Sequence, residues 1–187
     1  DGRVDKQRVK GRDDIRQDAL MEQVFGLVNE LLLRDEQSRR RELRMRTYSV
    51  VPLAPTAGLL QWVEGTLTLM QYRGGHDGAH EPYRPQDLKT SEARARMAEA
   101  RARKEAEGTD PLDTYDDVCA SLKPVMHHFF HERWPAAAEW FEHRLLYARS
   151  LATSSMVGFL VGLGDRHSSN ILIDTRTAEL VHIHLGI

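Results

Sequence analysis

The chain has little of what would commit it to a disulfide scaffold, a membrane or a polyanion. Cys119 is its only cysteine, so no disulfide can close within it and a reducing compartment is the default. Its longest strongly apolar run, Met156 to Leu163, falls far short of the roughly 20 residues that a helix needs to cross a bilayer. Neither charge sign dominates: 26 Lys plus Arg stand against 28 Asp plus Glu, a net charge of −2. No direct binding to nucleic acid or to an acidic membrane is expected from that balance. A start methionine and an apolar leader are both missing at Asp1-Gly2-Arg3. The other end stops at Leu185-Gly186-Ile187, directly after a strand-like run. Both ends therefore read as cuts through a domain. No internal repeat is visible.

What is present suits one domain, or two small lobes sharing a cleft: 187 residues, 41% hydrophobic and 29% charged. Asp1-Gly2 reads as a hairpin turn, and Val4 to Lys10 as the strand after it. From Asp14 to about Leu33, Ile15, Ala19, Val24, Val28, Leu31 and Leu32 recur near helical spacing. Acidic residues at Asp13, Asp14 and Asp18 crowd the helix start, where the macrodipole favours them. Leu43 to Leu53 and Gly58 to Val63 read as strands. Residues 92–107 are strong helix formers with few large apolar groups, so a solvated helix or mobile insertion is expected. Asp113 to Trp134 and Pro135 to Leu163 carry a helical, aromatic-rich pattern for the core of a second lobe. Asn170 to Asp174 and Glu179 to Ile183 read as two short strands around a turn at Thr175-Arg176-Thr177. The order is a small β-rich part, a linker near Leu60 to Gly65, then a mostly helical part. Clefts between such parts commonly hold small molecules.

The most informative run is Gly162-Leu163-Gly164-Asp165-Arg166-His167-Ser168-Ser169-Asn170. Phosphoryl transfer needs a carboxylate near the attacking hydroxyl, oxygen ligands for a metal and cations to balance phosphate charge. Asp165 can orient and deprotonate the hydroxyl, Asn170 offers a neutral oxygen to a metal, and Arg166 and His167 can stabilise the transferring group. A helix terminus capped by ordinary Gly and Asp explains the same residues, and alone the run does not choose between the two.

The following strands tip that balance. Gly-Leu-Gly-Asp-Arg-His-x-x-Asn-Ile-Leu followed by Glu179-Leu180-Val181-His182-Ile183 resembles the catalytic loop and metal-binding strand of phosphatidylinositol 3-kinase-related protein kinases. Lys10-Gly11-Arg12-Asp13-Asp14-Ile15-Arg16-Gln17-Asp18 is similar to that family's lysine strand and following helix. Tyr48-Ser49-Val50-Val51-Pro52-Leu53 and Gly58-Leu59-Leu60-Gln61-Trp62-Val63 resemble its inner strand and hinge. Asp77-Gly78-Ala79-His80, Ala152-Thr153-Ser154-Ser155 and Ala178 to His182 point within it to an ATM-like branch. The resemblance spans nearly the whole chain in the right order. It implies an α+β, bilobal protein-kinase-like fold, truncated at both ends, with residues 1–63 from a small β-rich N-lobe and 64–187 from a mainly helical C-lobe.

It also implies roles. Lys10 would contact ATP phosphates, with Asp18 positioning it; an exposed strand-end lysine is the plain alternative. Asp18 and Tyr48 would sit deep in the nucleotide cleft, with a half-buried strand aromatic the plain alternative for Tyr48. Trp62 would pack on adenine while the backbones of Gln61 and Val63 bond its edge; an interior tryptophan at a lobe junction predicts the same burial. Asn170 and the residue after Ile183 would ligate Mg²⁺ or Mn²⁺. The family has an aspartate there, and this chain has His184. An imidazole nitrogen is a poor donor for a hard cation. His184 is a variant or error, or marks a pseudokinase, or builds a zinc site with His182 at i, i+2. A closed zinc site needs four ligands, and His127, His128 and His131 lie on a distant helical stretch, where amphipathic or surface positions account for them. The resemblance implies a nuclear serine/threonine protein kinase in DNA-damage signalling and telomere maintenance. Its partners would be ATP, protein substrates with Ser or Thr before Gln, and DNA-damage sensors engaged through regions outside this sequence. A phosphoinositide lipid kinase and a nucleotide-binding scaffold are the alternatives.

Overall fold

A computed structural model describes residues 6–74 and 78–186. The turn expected at Asp1-Gly2, Val4 of the first strand, and Asp77 lie outside those residues. The chain divides into two compact units. Asp1–Leu69 with Trp134–Ile187 forms the first, and Met70–Arg133 the second.

In the first unit, β1 (Gln7–Gly11), β2 (Val50–Ala54) and β3 (Ala57–Gln61) make an antiparallel sheet in the order β1-β3-β2. Lys10 lies opposite Gly58 and Val9 opposite Leu59. Gly58 is required by crowding: a Cβ there would stand 2.7 Å from the Val51 carbonyl oxygen and would overlap the Ile15 side chain. Leu43 to Ser49 is not strand, against expectation; regular pairing begins at Val50. Arg44 and Arg46 are held there by side-chain ion pairs, and the backbone of Met45 by Asn29.

Helix α1 (Arg16–Arg34) follows the expected span, but its buried face differs. Asp18, Ala19, Met21, Glu22 and Phe25 are buried, whereas Leu31 is 55% exposed. The spacing reading favoured aliphatic positions, whereas the helix turns two carboxylates inward beside Phe25. A short α2 (Glu36–Arg40), capped by the Asp35 carboxylate on the Ser38 amide, was not anticipated.

Sequence also missed β4 (Thr66–Thr68), too short to show a pattern. It pairs with β5 (Ile171–Asp174), which pairs with β6 (Leu180–His182), all antiparallel. Among the described residues, two apolar clusters hold this unit together. One joins Met21, Phe25, Met45, Val157 and Leu185; the other joins Tyr48, Leu172 and Val181, with Val50, Leu60, Val63 and Ile183 against it.

The second unit takes most of α3 (Leu69–Gly74), with α4 (His80–Tyr83), α5 (Thr90–Glu107), α6 (Leu112–Ala120) and α7 (Met126–Arg133). α5 is the expected solvated helix, buried only at Ala93 and Ala100 and closed by left-handed Gly108. The helical stretch expected from Asp113 to Trp134 is broken between α6 and α7, where Pro124 cannot continue a helix. Tyr72 packs edge-on against buried Phe129 and donates its hydroxyl to the Val125 carbonyl. His128 stacks on Tyr83, with ring centroids 3.7 Å apart. α8 (Ala137–Leu160) belongs to the first unit. Among the described residues no helix is long and apolar enough to cross a membrane.

Candidate nucleotide site

The site is built where α8 ends. Gly162 adopts a left-handed conformation (φ 71°), and the Leu163 amide reaches back to the Gly158 carbonyl at 2.8 Å, a Schellman closure that stops the helix. The chain then leaves as the Gly164–Asn170 turn. The Gly164 amide donates to the Gly186 carbonyl at 3.0 Å, and the Ile183 amide to the Asn170 carbonyl at 3.0 Å. The turn is thereby fixed along the segment after β6.

Inside the turn, Asp165 is left-handed (φ 52°), a conformation that aspartate tolerates better than most residues. Asn170 is buried and donates its Nδ2 to the Asp165 carbonyl (2.9 Å) and to Asp165 Oδ2 (3.1 Å). The Ser169 amide donates to His167 Nδ1 at 3.2 Å, so the ring proton sits on Nε2, 3.7 Å from Asp165 Oδ1. Asp165, His167 and Asn170 thus converge. Arg166 turns the other way. Its guanidinium donates to the carbonyls of Gly164 (2.7 Å), Ile183 (2.9 Å) and His184. These bonds tether the turn to the end of β6, and a phosphate contact would require releasing some of them.

Lys10 meets the segment after β6 from the other side. Its Nζ lies 2.5 Å from Asp13, 3.7 Å from Asp18 and 3.5 Å from His184 Nδ1. The Lys10 ammonium holds the Asp13 carboxyl below its ordinary range. Buried Asp18 accepts the Leu185 amide at 2.7 Å, so one carboxylate binds helix α1 to the chain after β6. Burial lowers the His184 pKa, and the Lys10 charge lowers it further. Burial pushes His182 down to about 4, with the Arg166 charge adding to the effect.

Tyr48 is buried at the heart of the second apolar cluster. Its amide donates to Glu22 Oε2 at 3.1 Å, while its hydroxyl and Glu22 Oε1 are buried without hydrogen-bond partners. The Gln61 amide is already used by the Ser49 carbonyl, and its side chain accepts the Ser49 amide. Val63 accepts from Thr66 Oγ1. Trp62 departs from the burial expected of it: it is 52% exposed, following the last paired residue of β3, with its amide anchored on the Lys6 carbonyl.

Sequence reasoning did not assign roles to Asp13, Glu22, Leu172 or Leu185. Asp13 lay in the acidic run beside Lys10 and was within reach of that argument. The others depend on pairings across more than a hundred residues of chain or on burial.

The metal donors do not fit Mg²⁺, which asks for several oxygen ligands in a tight octahedron. Asn170 spends its nitrogen on Asp165, leaving Oδ1 as one neutral oxygen. At the second position stands a nitrogen whose lone pair faces Lys10. Among the described residues no group of three or more His, Cys, Asp or Glu side chains is placed to hold a metal ion. The zinc alternative built on His182 and His184 gains no third ligand.

Residues 7–187 match the family described as phosphatidylinositol 3- and 4-kinase. Over the whole chain it is 48% identical to the serine/threonine-protein kinase ATM of Arabidopsis thaliana, covering 5% of that protein. It is 46% identical to the serine/threonine-protein kinase tel1 of Neurospora crassa, covering 6% of it. Among solved structures, the FAT and kinase domain of CtTel1 superposes with a TM-score of 0.88 at 44% identity, over 99% of this chain and 13% of that one. The Tel1 kinase butterfly symmetric dimer gives 0.80 at 38% identity, over 95% of this chain and 7% of that one. The chain therefore spans a small part of the curated relatives it matches. Its mixed fold of small antiparallel sheets and mostly helical content is that of the Tel1 kinase domain, and the chain belongs to the phosphatidylinositol 3- and 4-kinase family.

Proposed function

We propose that this chain carries the nucleotide and phosphoryl-transfer site of a serine/threonine protein kinase that takes ATP as donor. The observation that carries the reading is the meeting of Lys10, Asp18 and His184 in one compact unit with the Asp165–Asn170 turn. On this reading residues 1–63 supply the lysine-bearing lobe and 64–187 the lobe with the turn. Lys10 meets the phosphates, while Tyr48, Leu60, Val63, Leu172 and Ile183 offer apolar surface for the purine. Half-exposed Trp62 is a platform for the base. The substrate hydroxyl oxygen forms its bond to the γ-phosphorus as the bond to the bridging oxygen breaks. The hydroxyl proton passes to Asp165, and ADP leaves. His167 Nε2–H faces the developing charge, and Arg166 positions the turn without touching phosphate.

The relatives' names support protein rather than lipid as acceptor. Roles in DNA-damage signalling and telomere maintenance, nuclear location, Ser-Gln or Thr-Gln substrates and damage-sensor partners belong to the same proposal. With His184 in place of a carboxylate, transfer is expected to be slower by about 10²-fold or more than in a His184→Asp variant, the loss typical of one preorganised electrostatic group. A radiolabel assay with a Ser-Gln peptide, the matching Ser-Ala peptide and phosphoinositide vesicles tests this. Label should enter the Ser-Gln peptide, rise in His184→Asp and vanish when Asp165→Asn is added. Equal rates for His184 and His184→Asp would remove the metal-position argument. Label in the vesicles alone would favour the lipid kinase.

A further inference from the structure

On the reading that Lys10 and the 165–170 turn hold a triphosphate, we propose that this site binds ATP without calling on a divalent cation, His184 having turned a metal-ligand position into a contact with Lys10.

Charge is the first consideration. Asp13 and Asp18 already flank the Lys10 ammonium, and on this reading Asp165 adds a third carboxylate from the 165–170 turn. A fourth carboxylate at position 184 would make a cation between phosphate and protein necessary, because unscreened like charges at such separations repel strongly. Histidine at that position brings no carboxylate. The lone pair comes second. His184 Nδ1 faces the Lys10 ammonium at 3.5 Å, and one lone pair cannot serve both an ammonium and a metal. The remaining oxygen of Asn170 is uncharged, so Mg²⁺ carried in on the phosphates would gain one neutral protein ligand and keep its water elsewhere.

Lys10 itself is set up to exchange partners. Asp18 is buried and committed to the Leu185 amide, whereas the Asp13 side chain is half exposed. A phosphate oxygen can replace Asp13 on the ammonium while Asp18 and His184 keep the lysine aimed. Backbone conformation gives a clean test residue: position 184 is left-handed (φ 55°), a region that aspartate and histidine both tolerate. His184→Asp therefore changes charge and donor without new backbone strain.

Titration of the 187-residue chain with a fluorescent ATP analogue, once with Mg²⁺ and once with EDTA, reads the effect directly. The two dissociation constants should agree within about threefold for the His184 chain, while His184→Asp should bind at least about tenfold more tightly with Mg²⁺ than with EDTA. Lys10→Met should weaken binding by about tenfold in both buffers, which places the analogue at this site. A tenfold or greater Mg²⁺ requirement in the His184 chain would overturn the inference and leave the nucleotide reading standing. An analogue that binds in neither buffer, or as tightly to Lys10→Met, would overturn both. The His184 chain alone decides the claim should His184→Asp fail to fold.

Discussion

Glu22 is a carboxyl whose surroundings oppose its charge. It is buried, one oxygen accepts the Tyr48 amide and the other has no partner. Burial pushes its pKa up to about 8; the Tyr48 amide opposes the rise and the Asp18 charge adds to it. The folded pKa is above the unfolded value, so the stability linked to this group is fully present below about 4.5 and is lost as pH rises through about 8. Between those limits the unfolding free energy should fall by an amount on the order of a few kcal/mol. Glu22→Gln keeps the shape and removes this titration, so the fall assigned to Glu22 should be missing from its profile over that window. Urea unfolding at pH 5, 7 and 8.5 checks this, and parallel profiles for the two chains would refute it.

Arg166 shows where residue-level legibility ended. The spacing of Asp165, His167 and Asn170 was readable because their contacts fall within five residues. Two of the carbonyls that Arg166 binds lie 17 and 18 residues on, at Ile183 and His184, and backbone acceptors leave no mark in a sequence. Arg166→Met should cost about 2–4 kcal/mol, since several charge-assisted hydrogen bonds are lost together. A melting temperature equal to that of the unmodified chain would show the tether to be idle.

At the scale of elements, the β5–β6 hairpin is pinned at its turn by charge and at its open end by the site. Asp174 and Glu179 are both fully buried, and Arg46 reaches each at 3.2 Å. Arg44 adds a second contact to Glu179 at 2.8 Å, and Thr177 donates its hydroxyl to the same carboxylate. Removing one partner strands buried charge, so Arg46→Ala should cost about 3–5 kcal/mol. Chemical denaturation reads that directly, and a cost below about 1 kcal/mol would reduce the pair to a surface ion pair. Gly58→Ala should destabilise by about 1–3 kcal/mol, because the new methyl meets the Val51 carbonyl, which is backbone and cannot swing aside. The two hairpin strands were legible as short apolar runs around a turn at Thr175-Arg176-Thr177, and α5 from its composition. On the inward face of α1 the resemblance pointed to Asp18, but nothing in the sequence pointed to Glu22; both carboxylates are buried, each compensated by an amide 26 or more residues away.

At the scale of the whole molecule, the first compact unit is assembled from two separated stretches, Asp1–Leu69 and Trp134–Ile187. The chain order suggested a β-rich part followed by a helical part. It gave no sign that α8 and the 165–170 turn cluster with the first sixty-nine residues, since that grouping rests on long-range packing such as Lys10 beside His184 and the apolar cluster that Val157 shares with Phe25. What was legible was the chemistry, carried by short motifs in order. What was not was the contact that alters it, an ammonium resting on an imidazole.

An acyl-phosphate derivative of ATP acylates a lysine amine held beside the phosphates and releases the nucleotide, so it reports which lysine lines the site. The account predicts that Lys10 takes the acyl group and that excess ATP prevents it, while Lys6, Lys89, Lys104 and Lys123 show no ATP-sensitive labelling. ATP-sensitive labelling at one of those four with Lys10 unmodified would contradict the shared site of Lys10 and the Asp165–Asn170 turn.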